Sequence, residues 1–124
     1  MCYIKIDAIR TAFENAFGSA DGRRLLLVVS PGRTEIAGNH TDHEGGQVIA
    51  AAVDRYVQGI FSPSDFGVLR VQSEGYGLVE VDPSDLAAKE EERGTTAALV
   101  RGMAALFAER GYAPQGFDAA LRSD

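Results

Sequence analysis

Cysteine occurs once in this 124-residue chain, at Cys2. A single thiol cannot close an internal disulfide, and such usage fits a reducing compartment, so the cytoplasm is the expected location. Lysine is almost as scarce, with only Lys5 and Lys89. Arginine and lysine together give 12 basic side chains against 18 acidic ones, for a formal net charge of -6. Phosphate neutralisation needs clustered Lys and Arg, so nucleic acid is not an expected partner. The stretch from Met1 to Phe17 mixes Lys5, Asp7, Arg10 and Glu14 among apolar residues, which fits neither a signal h-region nor a membrane span. Two familiar motifs are also missing, the G-x-x-x-x-G-K-[ST] phosphate loop and the G-x-S-x-G nucleophile elbow. Gly75-Tyr76-Gly77 begins like a dinucleotide fingerprint, but Glu80 stands at the third glycine position, and a hairpin turn explains the pair better.

What the chain does contain is enough for one domain, or part of one. Ile6, Ile9, Phe13 and Phe17 recur at helical spacing, with Gly18 placed to end the helix. Asp21-Gly22 marks a polar turn. Leu25 to Val29 runs apolar without alternation, as expected of a strand covered on both faces and closed by Pro31. Val48 to Gly59 reads as extended chain, its alanines leaving a helical turn open. After the turn signal Ser62-Pro63-Ser64-Asp65, Val68 to Gln72 and Tyr76 to Val81 read as a hairpin around Gly75. Asp82-Pro83-Ser84-Asp85 ends it, and Lys89 to Arg93 reads as a charged, solvated stretch. Thr95 or Thr96 can cap a helix in which Leu99, Met103, Leu106 and Phe107 fall at i, i+4, i+7 and i+8, with Gly111 as its stop. Phe117 to Leu121 begins one more strand, whose backbone would have few partners if nothing followed.

Both histidines lie in the polar, glycine-punctuated stretch from Pro31 to Gly46. Between its glycines stand Arg33, Glu35, Asn39, His40, Thr41, Asp42, His43 and Glu44. No apolar face exists there to fold onto a core, so the stretch meets water or a polar ligand. A polyol suits it, because vicinal hydroxyls are read by planar acceptors and donors such as Asp, Asn and His. The alternatives are a metal site built on His40 and His43, a loop whose side chains only cap its own backbone, and an Arg33 that braces the loop through Glu35 or Asp42.

Pro31-Gly32-Arg33, then Gly38-Asn39-His40-Thr41-Asp42, then Gly46, resembles the N-terminal signature of galactokinases in the GHMP small-molecule kinase superfamily, whose usual form reads P-G-R-V-N-x-I-G-E-H-T-D-Y-N-x-G. Phe13 and Phe17 ahead of it, and Arg101-Gly102 and Gly116-Phe117 behind it, are similar to the family's spacing. The resemblance covers residues 1–124 and implies an α+β fold, the N-terminal part of the GHMP kinase fold, with strands packed on helices. It implies ATP-dependent phosphorylation of galactose at its anomeric hydroxyl, with ATP and Mg2+ belonging to the full enzyme. Arg33 then matches the arginine beside the reacting hydroxyl, and His40 and Asp42 match sugar-binding positions. Asn39 stands where a glutamate usually contacts the sugar, His43 replaces a tyrosine, and Thr34-Glu35 replaces Val-Asn. The family's ATP phosphate loop would follow the segment matching Gly116 to Asp124. The chain is therefore expected to be an inactive sugar-binding fragment or, alternatively, a non-catalytic module, with a sheet edge open to self-association.

Overall fold

The computed structural model describes residues 6–38 and 45–123. Its elements run α1 (Ile6–Phe17), β1 (Leu26–Ala37), β2 (Ile49–Pro63), β3 (Leu69–Ser73), β4 (Leu78–Val81), a short 3-10 turn (Glu90–Glu92), α2 (Thr96–Glu109) and β5 (Phe117–Ser123). The strands form one sheet in the order β1-β2-β5-β3-β4. All neighbours are antiparallel except β3 and β5, which run parallel. The α+β expectation holds.

Side chains alternate across a sheet, so the register sorts the two faces. Ile60 lies opposite Ala120 and Ser62 opposite Asp118. Onto that face packs α1, whose buried Ile9 and Phe13 join Ala20, Ile60 and Ala120 in one cluster. Full burial of each large side chain contributes about 1.5–3 kcal/mol. Gly18, at φ +83, stops the helix where the sequence placed its end. On the other face Leu69, Val81 and Ala104 form a second cluster with Val79, Val100 and Phe117. Thr95 caps α2, its hydroxyl accepting from the Ala98 N–H at 3.3 Å.

The apolar stripe read from the sequence of α2 does not face this core. Leu99, Met103 and Phe107 are exposed, and what α2 buries is Arg101 and Ala104. A helix is about 10 Å across and strands lie about 4.8 Å apart, so one helix covers roughly two strands of five. The rest of that face is left as a groove of about 510 Å³ between Phe61, Val71 and Leu121 on the sheet and Leu99, Met103 and Phe107 on α2.

Three further expectations are corrected. Pro31 does not close β1, which continues to Ala37. As an edge strand β1 needs only one ladder, so a missing N–H is tolerated there. Leu26 and Val28 are exposed instead of covered on both faces, because α2 packs at the β4 end of the sheet and leaves β1 uncovered. β5 is not short of partners, because it lies in the sheet's interior and pairs with β2 on one side and β3 on the other. Finally, the charged stretch is exposed at Glu90 and Arg93, as expected, while Glu92 is partly buried. It accepts from Arg101 Nε at 2.7 Å and Arg101 Nη2 at 2.6 Å, and Arg101 Nη1 donates to the Asp85 carbonyl.

Candidate functional site

The signature stretch is carried on the β1–β2 hairpin. Near the body of the protein β1 pairs with β2 from Leu26↔Phe61 to Pro31↔Tyr56, and after a break it resumes at Arg33↔Ala52. Gly32 therefore stands opposite three residues of β2, Val53 to Arg55, in a bulge. An added Cβ at Gly32 would lie 3.1 Å from Val53 Cγ2, so this position favours the smallest residue. β5 pairs with β2 only from Val57 to Pro63. Beyond that point the hairpin is a two-stranded arm, on which Ile36 and Ile49 are exposed.

The arm ends in a tight neck at Gly38. Its φ is +94, a conformation that side chains with a Cβ rarely adopt, and a Cβ there would run into the Gln47 carbonyl and Val48. This keeps the backbone at Gly38 close against Gln47 and Val48.

Arg33 lies on the arm just past the bulge. Its side chain is 71% exposed, and Nη2 donates to Glu35 Oε1 at 3.3 Å. The bracing contact that the sequence allowed between Arg33 and Glu35 therefore forms, on a residue still open to solvent. Asn39, His40 and Asp42, together with His43 and Glu44, fall outside the described residues. The proposed metal site on the two histidines falls there as well. Among the described residues no three of His, Cys, Asp and Glu are grouped so as to hold a metal ion, and no helix is long and apolar enough to cross a membrane.

One polar cluster escaped the sequence reading. Asp118 on β5 is 1% exposed and bridges two arginines, Arg23 Nη2 at 2.6 Å and Arg70 Nε at 2.7 Å. Arg23 also donates from Nε to Ser62 Oγ at 3.0 Å. Both guanidiniums lie over aromatic rings, Arg23 on Phe13 at 4.8 Å and Arg70 between Phe17 at 5.2 Å and Phe66 at 4.5 Å. The cluster ties α1, the turn after it, β2, β3 and β5 together at the end of β2 and β5 away from the arm. Its one signal in the sequence is a lone acid inside the apolar run Phe117-Asp118-Ala119-Ala120-Leu121, since a carboxylate in a buried strand needs a partner. Among the described residues no buried side-chain nitrogen or oxygen lacks a hydrogen bond.

This arrangement, a five-stranded mixed sheet with a projecting N-terminal hairpin, is that of a known sugar-kinase fold. The structure of Lactococcus lactis galactokinase complexed with galactose matches it at a TM-score of 0.81 and 25% identity, over 96% of this chain and 31% of that one. The model of the galactokinase galactose-binding signature matches residues 11–63, from within α1 to the last residue of β2. Galactokinase from Bacillus subtilis is 29% identical over 116 residues, covering 90% of this chain and 29% of that relative. Galactokinase from Streptococcus suis is 30% identical over 109 residues, covering 86% and 27%. In fold and in signature the chain is galactokinase-like, and it spans less than a third of the length of these relatives.

Proposed function

We propose that the chain is the sugar-binding part of a galactokinase-type kinase, the N-terminal portion of its GHMP kinase domain. Its substrate is galactose or a closely similar sugar. The supporting observation is that the matched signature, residues 11–63, takes in the whole of β1 and β2, with the end of α1 ahead of them. In the reaction, the anomeric oxygen of galactose forms a bond to the terminal phosphorus of ATP as the bond to ADP breaks. His40 and Asp42 grip ring hydroxyls, and Asn39 donates to and accepts from one while bringing no charge. Arg33 stands beside the reacting hydroxyl with a fixed positive charge, of the kind needed where charge builds on the migrating group's oxygens. ATP, when bound, supplies the phosphoryl group with Mg2+ as its counterion. The described residues do not group donors for that ion, so the role of Arg33 is derived without it.

Calorimetric titration with galactose tests the reading. Saturable heat is expected, with a much weaker response to a sugar lacking the galactose configuration, and a flat titration would contradict it. A coupled ADP-release assay separates the two forms of the proposal. The 124-residue chain alone is expected to bind sugar without turning it over, and sustained turnover would show that it carries the whole active site. The exposed Leu26, Leu99, Met103 and Phe107 together with the β1 edge support self-association. Light scattering at high concentration is expected to show a dimer or larger species.

A further inference from the structure

We propose that the open side of the sheet and the outer face of α2 form the contact between two copies of this chain, each laying its α2 in the trough of the other. This rests on the self-association proposed above and names its surface; the sugar plays no part in it. The register sets one row across the sheet from β1 to β4: Leu26, Phe61, Ala119, Val71 and Val79. α2 packs at the β4 end of that row, so β5, β2 and β1 carry no layer on this side. Two adjoining hollows of about 510 and 640 Å³ remain there, sharing Phe61 and Phe117. Three strands span about 10 Å from first to last, the diameter of one helix.

α2 itself lacks a cover. From Thr96 to Ala108 its single charge is Arg101, which is buried against Glu92. The outer side is left to Leu99, Gly102, Met103, Leu106 and Phe107, all exposed. A helix that faces water carries polar residues on its outer side, and one that is apolar all round lies inside a core. An interior glycine also weakens a helix relative to alanine, yet a Cβ at Gly102 would meet nothing within 4 Å. Within one copy this glycine relieves no crowding, and what it admits is the close approach of a second backbone.

A second copy covers both surfaces at once. Trough and helix lie side by side on one face, so a two-fold axis between two such faces sets each helix in the other's trough, the self-complementary pairing of a closed dimer. Leu99, Met103 and Phe107 of the two helices then pack along each other. With Leu26, Val28 and Val57 on the sheet, the exposed apolar side chains of this face leave on the order of 700 Å² open on one copy, near the roughly 800 Å² per partner of a standard interface. That is more than a monomer ordinarily exposes in one apolar patch. The face is also better fitted to the task than the sheet edges. β1 carries Pro31 and two irregularities in its ladder, and β4 is only four residues long, features that blunt edge-to-edge pairing.

Sedimentation of the 124-residue chain across a range of concentrations is the test, and a dimer is expected. Met103→Glu puts a charge on a side chain already half exposed in one copy. It should raise the dimer's dissociation constant about 30-fold or more, since the symmetry counts the substitution twice. Gly102→Ala should weaken the dimer while the helix signal of the dilute monomer holds or rises, a combination that a glycine needed only within one copy would not give. Ile36→Lys, on the arm, should leave association unchanged. Leu99→Lys takes the place of Met103→Glu should that variant fold poorly. A dimer that keeps its constant in the α2 variants, or is lost in Ile36→Lys alone, overturns this inference and leaves self-association standing. A wild-type chain that is monomeric at every concentration overturns both, and means that something other than a second copy covers the face.

Discussion

The body of the protein and the arm that projects from it are built on different terms. In the body, α1 and α2 lie on opposite faces of the sheet, β5 is paired on both edges, and a buried carboxylate is shared by two arginines. In the arm two strands pair only with each other, and Ile36 and Ile49 are exposed. Isolated two-stranded hairpins are marginally stable in water, so the arm depends on its root in the body. The difference teaches that stability and recognition are separable here. On the proposed function, the body's residues answer for the fold and the arm's residues for the ligand.

The sharpest way to break this division is to attack the body. Asp118→Ala leaves two guanidiniums over aromatic rings without their carboxylate, and removing one partner of a buried ion pair costs about 3–5 kcal/mol. Urea unfolding should show that loss, with sugar binding disappearing only as the body unfolds. A loss below about 1 kcal/mol would mean that the body does not rest on this cluster. Next in size is Gly38→Val in the neck of the arm. Forcing a branched side chain to positive φ against the Gln47 carbonyl costs on the order of 1–3 kcal/mol locally. Galactose affinity should fall about tenfold or more while the melting temperature stays near that of the wild type, and the reverse pattern would contradict the division.

How far this division could be read from the sequence follows from the physics of each part. The hairpin around Gly75, the caps at Gly18 and Thr95 and the stop at Gly111 depend on local chemistry and were legible. The course of β1 past Pro31 was not, because whether a proline ends a strand depends on which edge of the strand is paired, a tertiary property. The stripe Leu99, Met103 and Phe107 gave the right helix and the wrong core, since periodicity reports that a face is apolar and not what covers it. Glu92 fell within a stretch read as solvated because its partner Arg101 is 9 residues away and meets it only once α2 packs. Of the signature, Arg33 was legible as a site candidate through the resemblance, and its contact with Glu35 was one of two bracing partners open to a stretch read as loop, whose first part is instead strand.

Acid should act on the body. The Arg101 guanidinium, through its hydrogen bonds, holds Glu92 below its ordinary carboxylate value of 4.5, and Ser84 and Lys89 do the same for Asp82 and Asp85. A carboxylate with a depressed folded pKa contributes stability that is present above its unfolded pKa and lost as pH falls through the folded one. The melting temperature should therefore drop below about pH 4.5, and Glu92→Gln should lie below the wild type at neutral pH and converge with it in acid. Curves that stay parallel would show that the Glu92–Arg101 pair does not couple folding to protons. The smallest expected effect is that of Arg33→Ala. An exposed pair contributes about 0–1 kcal/mol, so melting should shift little, and a large destabilisation would make Arg33 a structural residue of the arm.

Mapping backbone amide shifts while galactose is titrated into isotope-labelled protein tests the division most directly. Saturable changes concentrated between Arg33 and Gln47, with α2 and the groove beside Met103 and Phe107 unmoved, are the predicted result. Changes that cluster in that groove and leave the arm unmoved would contradict it.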